Sequence, residues 1–157
     1  MPSPAATTRP AAATSSAAGS TVDAPAFAFS HPLRVYWEDT DAGGVVFYAH
    51  YLKFFERART EWLRHLGLGQ QDLRDRTGAI FVVTDTRVRY RAPARLDDLL
   101  HVTVNLQHHG AASMTIVQQA WRDTTLLAEG DIRIGCVDDG TFKPRRIPQE
   151  VIETLTT

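Results

Sequence analysis

The residues best suited to chemistry in this sequence form one short polar stretch. It contains three carboxylates, Glu38, Asp39 and Asp41. The glycine pair Gly43 and Gly44 follows, and glycines let a backbone come close to a ligand. A carboxylate beside a bound acyl group can attack its carbonyl carbon or deprotonate a water. The stretch is therefore a candidate site for acyl transfer.

An amphipathic helix is predicted directly after this stretch, starting near Tyr48. Its apolar side chains recur at intervals of three and four residues: Tyr51, Phe54, Phe55, Ala58, Trp62 and Leu66. Gly67 supplies the stop signal. The first turn of a helix has free backbone N–H groups and a partial positive charge, so it can hold an oxyanion. A carboxylate next to such a turn makes an acyl-transfer site, although Asp39 or Asp41 can also serve simply as a turn cap.

The elements around this helix predict an α+β fold. A short strand at residues 33–37 precedes the helix, and four segments with period-two alternation follow it, at residues 79–90, 99–108, 113–122 and 126–137. The connections between these four are short, which indicates antiparallel neighbours. Residues 149–155, entered after Pro148, predict a terminal helix. We expect one long helix packed on a five-stranded antiparallel sheet.

The composition divides the chain into two parts. Residues 1–28 contain ten Ala, four Ser, four Thr and four Pro, with Arg9 and Asp23 as their only charges. A segment with so few large apolar side chains cannot form a core, and it is predicted to be a disordered tail. Residues 29–157 are long enough for one hydrophobic core and form the predicted domain.

Charge and cysteine content exclude other classes of protein. Seventeen basic and eighteen acidic residues give a net charge of -1, so no basic field favours nucleic acid as a partner. The single cysteine, Cys136, indicates a reducing compartment, and a cytoplasmic location is predicted. No apolar run is long enough to span a membrane. The six histidines lack metal-ligand spacing, so no metal site and no cofactor are predicted.

A longer motif around the polar stretch resembles a known family. Residues 34–48 read RVYWEDTDAGGVVFY, and residues 56–61 read ERARTE. They resemble the Tol-Pal-associated acyl-CoA thioesterases, which belong to the hotdog-fold family named for 4-hydroxybenzoyl-CoA thioesterase. The likeness continues through residues 81–83, 90–98 and 136–138, and so covers most of residues 32–148.

The resemblance implies a hydrolase that splits a short-chain or aromatic acyl-CoA into a free acid and coenzyme A. Asp41 matches the catalytic aspartate, as nucleophile or general base. Tyr48 matches the residue whose backbone N–H polarises the thioester carbonyl. The predicted substrate-binding residues are Gly44, Val46, Arg91, Pro93 and Arg95.

Two basic clusters are candidates for the coenzyme A phosphates, since Arg suits phosphate contacts. One comprises Arg89, Arg91 and Arg95, and the other Lys143, Arg145 and Arg146. The resemblance also implies a homodimer or homotetramer with shared active sites.

Three alternatives remain from the sequence. The chain could bind acyl groups with little turnover, as a partner of acyl carrier protein or of phospholipid synthesis. A hotdog dehydratase is disfavoured, because the His/Glu pair of those enzymes has no counterpart motif here. Glu56 on the helix could supply the carboxylate, although an ion pair with Arg57 or Arg59 is its ordinary explanation.

Overall fold

The computed structural model describes residues 29–157, and the predicted tail at residues 1–28 lies outside the described residues. A long helix follows a short strand and a polar loop, and four strands then complete the sheet. The strands are β1 (Phe29–Arg34), β2 (Ala79–Tyr90), β3 (Leu99–His109), β4 (Ser113–Arg122) and β5 (Thr125–Asp138). The helices are α1 (His50–His65), α2 (Gln70–Thr77) and α3 (Gln149–Thr156), and a 3-10 turn spans Trp37–Asp39.

All five strands form one antiparallel sheet in the order β1-β3-β4-β5-β2. The strand β1 lies at one edge and β2 at the other. Because β1 is an edge strand, it tolerates Pro32, which has no N–H to donate to a ladder. The predicted α+β fold with a five-stranded sheet is confirmed.

The helix α1 packs its apolar side on the inner face of the sheet. Phe54, Phe55 and Ala58 are fully buried there. A Cβ atom added to Gly130 of β5 would lie 2.9 Å from Cε2 of Phe55, so this glycine allows the close approach of helix and sheet. Strand β4 alternates strictly between buried and half-buried residues from Met114 to Ala120, as its sequence pattern predicts. None of the helices in residues 29–157 is long and apolar enough to cross a membrane.

One local prediction was wrong, and one helix was missed. The first strand starts at Phe29 and ends at Arg34, because the backbone of Val35 bonds instead to the turn at Asp97 and Asp98 and the chain then enters a 3-10 turn. The helix α2 was not predicted. Leu73 is its only buried residue, and one apolar residue among eight gives no helical periodicity in the sequence. Its signals are local: i,i+4 pairs such as Arg76 with Asp72, and a left-handed Gly78 at its end.

Candidate active site

Asp41 opens a tight turn that leads to α1. Its Oδ1 accepts a hydrogen bond of 2.8 Å from the N–H of Gly43, and its carbonyl accepts one of 3.0 Å from Gly44. Gly44 has a φ of +75°, in the left-handed region that favours glycine. The Asp41 side chain is exposed, and within residues 29–157 its Oδ2 accepts no hydrogen bond. One carboxylate oxygen is therefore available to a ligand.

Asp39, two residues earlier, has a different environment. It is 1% exposed, and its carboxylate accepts bonds from the backbone N–H of Tyr36 at 2.8 Å and from Nδ1 of His50 at 3.1 Å. Its carbonyl accepts a 2.8 Å bond from the N–H of Phe47. Asp39 therefore joins the 3-10 turn to the start of α1. Of the two aspartates that the sequence offered as turn caps, Asp39 has the purely structural role. Asp41 accepts one hydrogen bond within its own turn and keeps its second carboxylate oxygen free.

The start of α1 is open. Ala49 is the N-cap residue, and its side chain makes no capping hydrogen bond. Across the described part of the chain, the N–H groups of Tyr48 and Ala49 donate no hydrogen bond. The carbonyl of Tyr48 accepts a 2.7 Å bond from the hydroxyl of Tyr90, which anchors this turn to the end of β2. Free N–H groups at a helix start are donors for an oxyanion.

Backbone pairing places the Asp41 turn beside a second turn. Val45 pairs with Arg95, and the N–H of Val46 donates a 2.8 Å bond to the carbonyl of Ala94. The predicted site residues Gly44, Val46, Pro93 and Arg95 thus come together with Asp41. The Val46 side chain is buried, and its backbone makes the hydrogen bond between the two turns. The Arg95 side chain is exposed. No acidic side chain among residues 29–157 lies within 4.0 Å of the Arg95 guanidinium.

Asp98 rigidifies this second turn. Its Oδ2 accepts a 2.9 Å bond from the N–H of Arg95 and a 2.8 Å bond from the guanidinium of Arg122. Burial alone would raise the pKa of Asp98, but these two bonds outweigh it and hold the pKa below its ordinary value. Arg122 also donates to the carbonyl of Pro93 at 3.1 Å. The Arg95 backbone is therefore fixed next to Asp41.

Arg91, which directly follows β2, forms an ion pair with a residue of β5. Its guanidinium lies 2.7 Å from Glu129 of β5, and the guanidinium of Arg89 lies 3.5 Å from the same carboxylate. The hydrogen bond from Arg91 is the main reason that the pKa of Glu129 is lowered. Of the first basic cluster, Arg95 alone is both unpaired with an acidic residue and beside the Asp41 turn.

The second basic cluster lies at the other end of the sheet. Arg145 bonds to the carbonyl of Thr77 at 2.7 Å and lies 3.7 Å from Asp138, at the start of β2. Tyr90, which holds the start of α1, ends the same twelve-residue strand. The two ends are about 35 Å apart at the usual rise per residue. Within one protomer this cluster does not face Asp41.

Glu56 does not form the ion pair expected from the sequence. Its Oε1 accepts a 2.7 Å bond from the hydroxyl of Thr60, and no basic group in residues 29–157 lies within 4.0 Å of it. The expected ion pair with Arg57 or Arg59 is therefore wrong. Arg59 points instead to the buried Gln118 of β4, 2.8 Å away.

Sequence reasoning missed two positions that hold the site. His50 and Tyr90 fix the loop and the helix start, but each acts on a residue 11 or 42 positions away. No short motif can encode such contacts, because the fold alone brings the partners together.

Comparison with known proteins gives consistent matches. A family model described as the thioesterase-like superfamily matches residues 35–155. The acyl-CoA thioesterase YbgC of Haemophilus influenzae is 46% identical over 123 residues, which cover 78% of this chain and 90% of that protein. The acyl-CoA thioester hydrolase YbgC of Escherichia coli is 45% identical over 125 residues, 79% of this chain and 92% of that protein.

A solved structure extends the likeness to the fold. A probable thioesterase from Bartonella henselae superposes with a TM-score of 0.73 at 33% identity, covering 78% of this chain and all of that one. The family model spans most of the described residues, and both relatives are matched over nearly their whole length. The chain therefore belongs to the thioesterase-like superfamily and is a thioester hydrolase with the hotdog fold.

Proposed function

We propose that this protein hydrolyses acyl-CoA thioesters and that Asp41 acts on the thioester. The observation that supports this most is the exposed Asp41 carboxylate, with one free oxygen, on the turn that leads into an uncapped helix start. The names of the relatives from Haemophilus influenzae and Escherichia coli support acyl-CoA as the substrate class.

In the proposed reaction, the thioester carbonyl oxygen lies against the N–H groups of Tyr48 and Ala49. These donors stabilise the negative charge that develops on that oxygen, and a single such donor is typically worth roughly 10² to 10³ in rate. The Tyr48 side chain has no part in this step, because the backbone donates. The tetrahedral intermediate then collapses, the carbon–sulfur bond breaks, and coenzyme A leaves as the thiol.

Two roles fit Asp41. As a nucleophile, its oxygen bonds to the acyl carbon and coenzyme A leaves, after which water cleaves the mixed anhydride and restores the carboxylate. As a general base, Asp41 removes a proton from water, and the hydroxide attacks the thioester directly. Both routes consume one water and give one carboxylic acid and one thiol. In ¹⁸O-labelled water under single turnover, the general-base route places one ¹⁸O in the acid product. A first product without ¹⁸O shows that its second oxygen came from Asp41 and supports the nucleophilic route.

Arg95 is proposed to bind a phosphate of coenzyme A. Its side chain is exposed beside the Asp41 turn, and its backbone is held by Asp98. An Arg fork binds phosphate with two parallel hydrogen bonds. Arg91 is a weaker contact in this proposal, because it would have to leave Glu129.

The assembly is proposed to be a homodimer or homotetramer formed through β2. This edge strand has twelve residues, and it pairs with β5 on one side only within the described chain. Val83, at its middle, is half exposed. A long unpaired edge favours pairing with a second copy. A cytoplasmic location and a link to the Tol-Pal system stay predictions of the sequence.

A thiol-release assay with a panel of acyl-CoA thioesters tests the proposed function. The panel contains short linear, long linear and aromatic acyl groups, and the prediction is turnover of the short or aromatic members. The competing hypothesis is binding of acyl groups with little turnover. Acyl carrier protein that co-purifies with a protein inert toward the whole panel would favour that hypothesis and contradict the hydrolase proposal.

A further inference from the structure

A cavity of about 190 Å³ lies under the second half of α1, between the helix and the sheet. Its apolar walls include Trp62, Phe81, Met114 and Ile134, and Glu56, Arg59 and Thr60 supply polar groups. An apolar cavity of about 150 Å³ is large enough to hold benzene. This cavity therefore has room for one aromatic ring or a chain of about six carbons.

Arg59 gives the cavity a chemical preference. Its guanidinium makes one hydrogen bond, to Oε1 of Gln118, and no carboxylate among residues 29–157 lies within 4.0 Å of it. In the same residues, every buried side-chain nitrogen or oxygen has a hydrogen-bond partner. The remaining donors of Arg59 have none among these residues, so they are open to solvent. Arg59 lines the cavity. Burial lowers the pKa of Arg59, but a guanidinium stays charged at neutral pH.

The orientation of this guanidinium is fixed by Gln118. That side chain is fully buried, and its Nε2 donates to the carbonyls of Phe55 at 3.0 Å and Thr103 at 3.3 Å. Its amide oxygen is therefore turned toward Arg59. Glu56 also lines the cavity, and its charge raises the pKa of Arg59, although burial outweighs this effect. Glu56 makes no ion pair with Arg59: it is exposed and accepts the hydroxyl of Thr60. A fixed Arg with free donors beside apolar walls is complementary to a carboxylate on an apolar stem.

We propose that this cavity binds a carboxylate on an aromatic or short aliphatic stem, with the Arg59 guanidinium holding the carboxylate. Arg59 is nine residues from His50, about 13 Å along α1 at 1.5 Å per residue, so within one protomer the pocket does not include the Asp41 turn. Two sources supply such a group. One is a free carboxylic acid, and the other, which rests on the proposed function, is the far end of a dicarboxylic acyl thioester.

Direct binding tests the free-acid source without any turnover. The probes are benzoate and hexanoate, with benzyl alcohol as the uncharged control, and the readout is the indole N–H resonance of Trp62 in the cavity wall. Both acids are expected to shift this resonance with an affinity at least about tenfold lower in Arg59→Met, since a charged hydrogen bond is lost. Arg57→Met, an exposed arginine two positions away, is the matched control and should bind as the wild type does.

Selectivity tests the thioester source. The ratio of kcat/KM for adipoyl-CoA to that for hexanoyl-CoA is measured in the wild type, Arg59→Met and Arg59→Lys. This ratio does not depend on the folded fraction, because both substrates meet the same enzyme. A drop of about tenfold or more in Arg59→Met, with a smaller drop in Arg59→Lys, supports this source.

Either result supports the pocket and identifies the source of the carboxylate. The proposal is overturned if Arg59→Met changes neither the acid affinities nor the ratio. If the protein hydrolyses no thioester, the acid-binding result alone decides, so the failure of the proposed function and the failure of this pocket are distinguishable.

Discussion

The two halves of α1 are built in different ways. At its start, the groups offered to a ligand are backbone N–H donors and one exposed carboxylate, all within residues 41–49. In its second half, the cavity is formed by side chains from α1, α2, β2, β4 and β5, with Arg59 held by the buried Gln118. The groups proposed to react are therefore close together in the sequence, whereas the cavity depends on the packed sheet.

Among substitutions outside the groups proposed to react, loss of the buried Asp39 carboxylate should have the largest effect. Asp39→Ala leaves the Tyr36 N–H and His50 without their partner, which should lower the free energy of unfolding by about 1–3 kcal/mol. The Asp41 turn should also shift, and kcat should fall by up to about 10². Denaturant unfolding measures the stability, and thiol-release kinetics measure kcat.

The control is Glu38→Ala, at an exposed neighbour, which should change the unfolding free energy by less than about 0.5 kcal/mol. A fully active, equally stable Asp39→Ala would contradict the role given to Asp39.

The packing of α1 on the sheet should respond to a single added methyl group. Gly130→Ala places a Cβ 2.9 Å from the Phe55 ring and 2.9 Å from Cδ1 of Ile132, so the packing of α1 on β5 must shift, at a cost of roughly 1–3 kcal/mol. Gly110→Ala is the control, because its nearest neighbour would be 3.8 Å away. Thermal unfolding compares the two variants. If Gly130→Ala is as stable as Gly110→Ala, then α1 does not pack on β5 as closely as described.

The smallest effect expected is on the acid stability that Asp98 and Glu129 give the protein. The pKa values of Asp98 and Glu129 are lowered in the folded protein, so the unfolded chain takes up protons first as pH falls. The stabilisation they give is present above their ordinary values of 3.8 and 4.5 and is lost below them. The free energy of unfolding, measured from pH 6 to about pH 3, should fall less steeply in Asp98→Asn. An unchanged slope would contradict the lowered pKa of Asp98 in the folded protein.

Much of the fold could be predicted because apolar and polar residues recur regularly in the segments that form the sheet. The bounds of β2 and β4 were predicted to the residue, since each strand lies between clear turn signals. The Asp41 turn was predictable for a similar reason: its carboxylate, its glycines and the helix start are adjacent in the chain. Contacts that depend on tertiary packing were not. The Arg59–Gln118 bond joins residues 59 positions apart, and the pairing of Arg91 with Glu129 joins residues 38 apart. Arg91 and Arg95 look alike in sequence, and the fold alone separates the paired side chain from the free one.

The exposed carboxylate of Asp41 is proposed to carry out the reaction at the open start of α1. The most direct test is kcat/KM for thiol release from a short acyl-CoA, measured for the wild type, Asp41→Asn and Glu38→Gln. The Asn side chain keeps an oxygen for the Gly43 N–H, so the turn should stay folded, which circular dichroism checks. We predict a fall of at least about 10² in Asp41→Asn and wild-type activity in Glu38→Gln. Undiminished turnover in a folded Asp41→Asn would contradict the account.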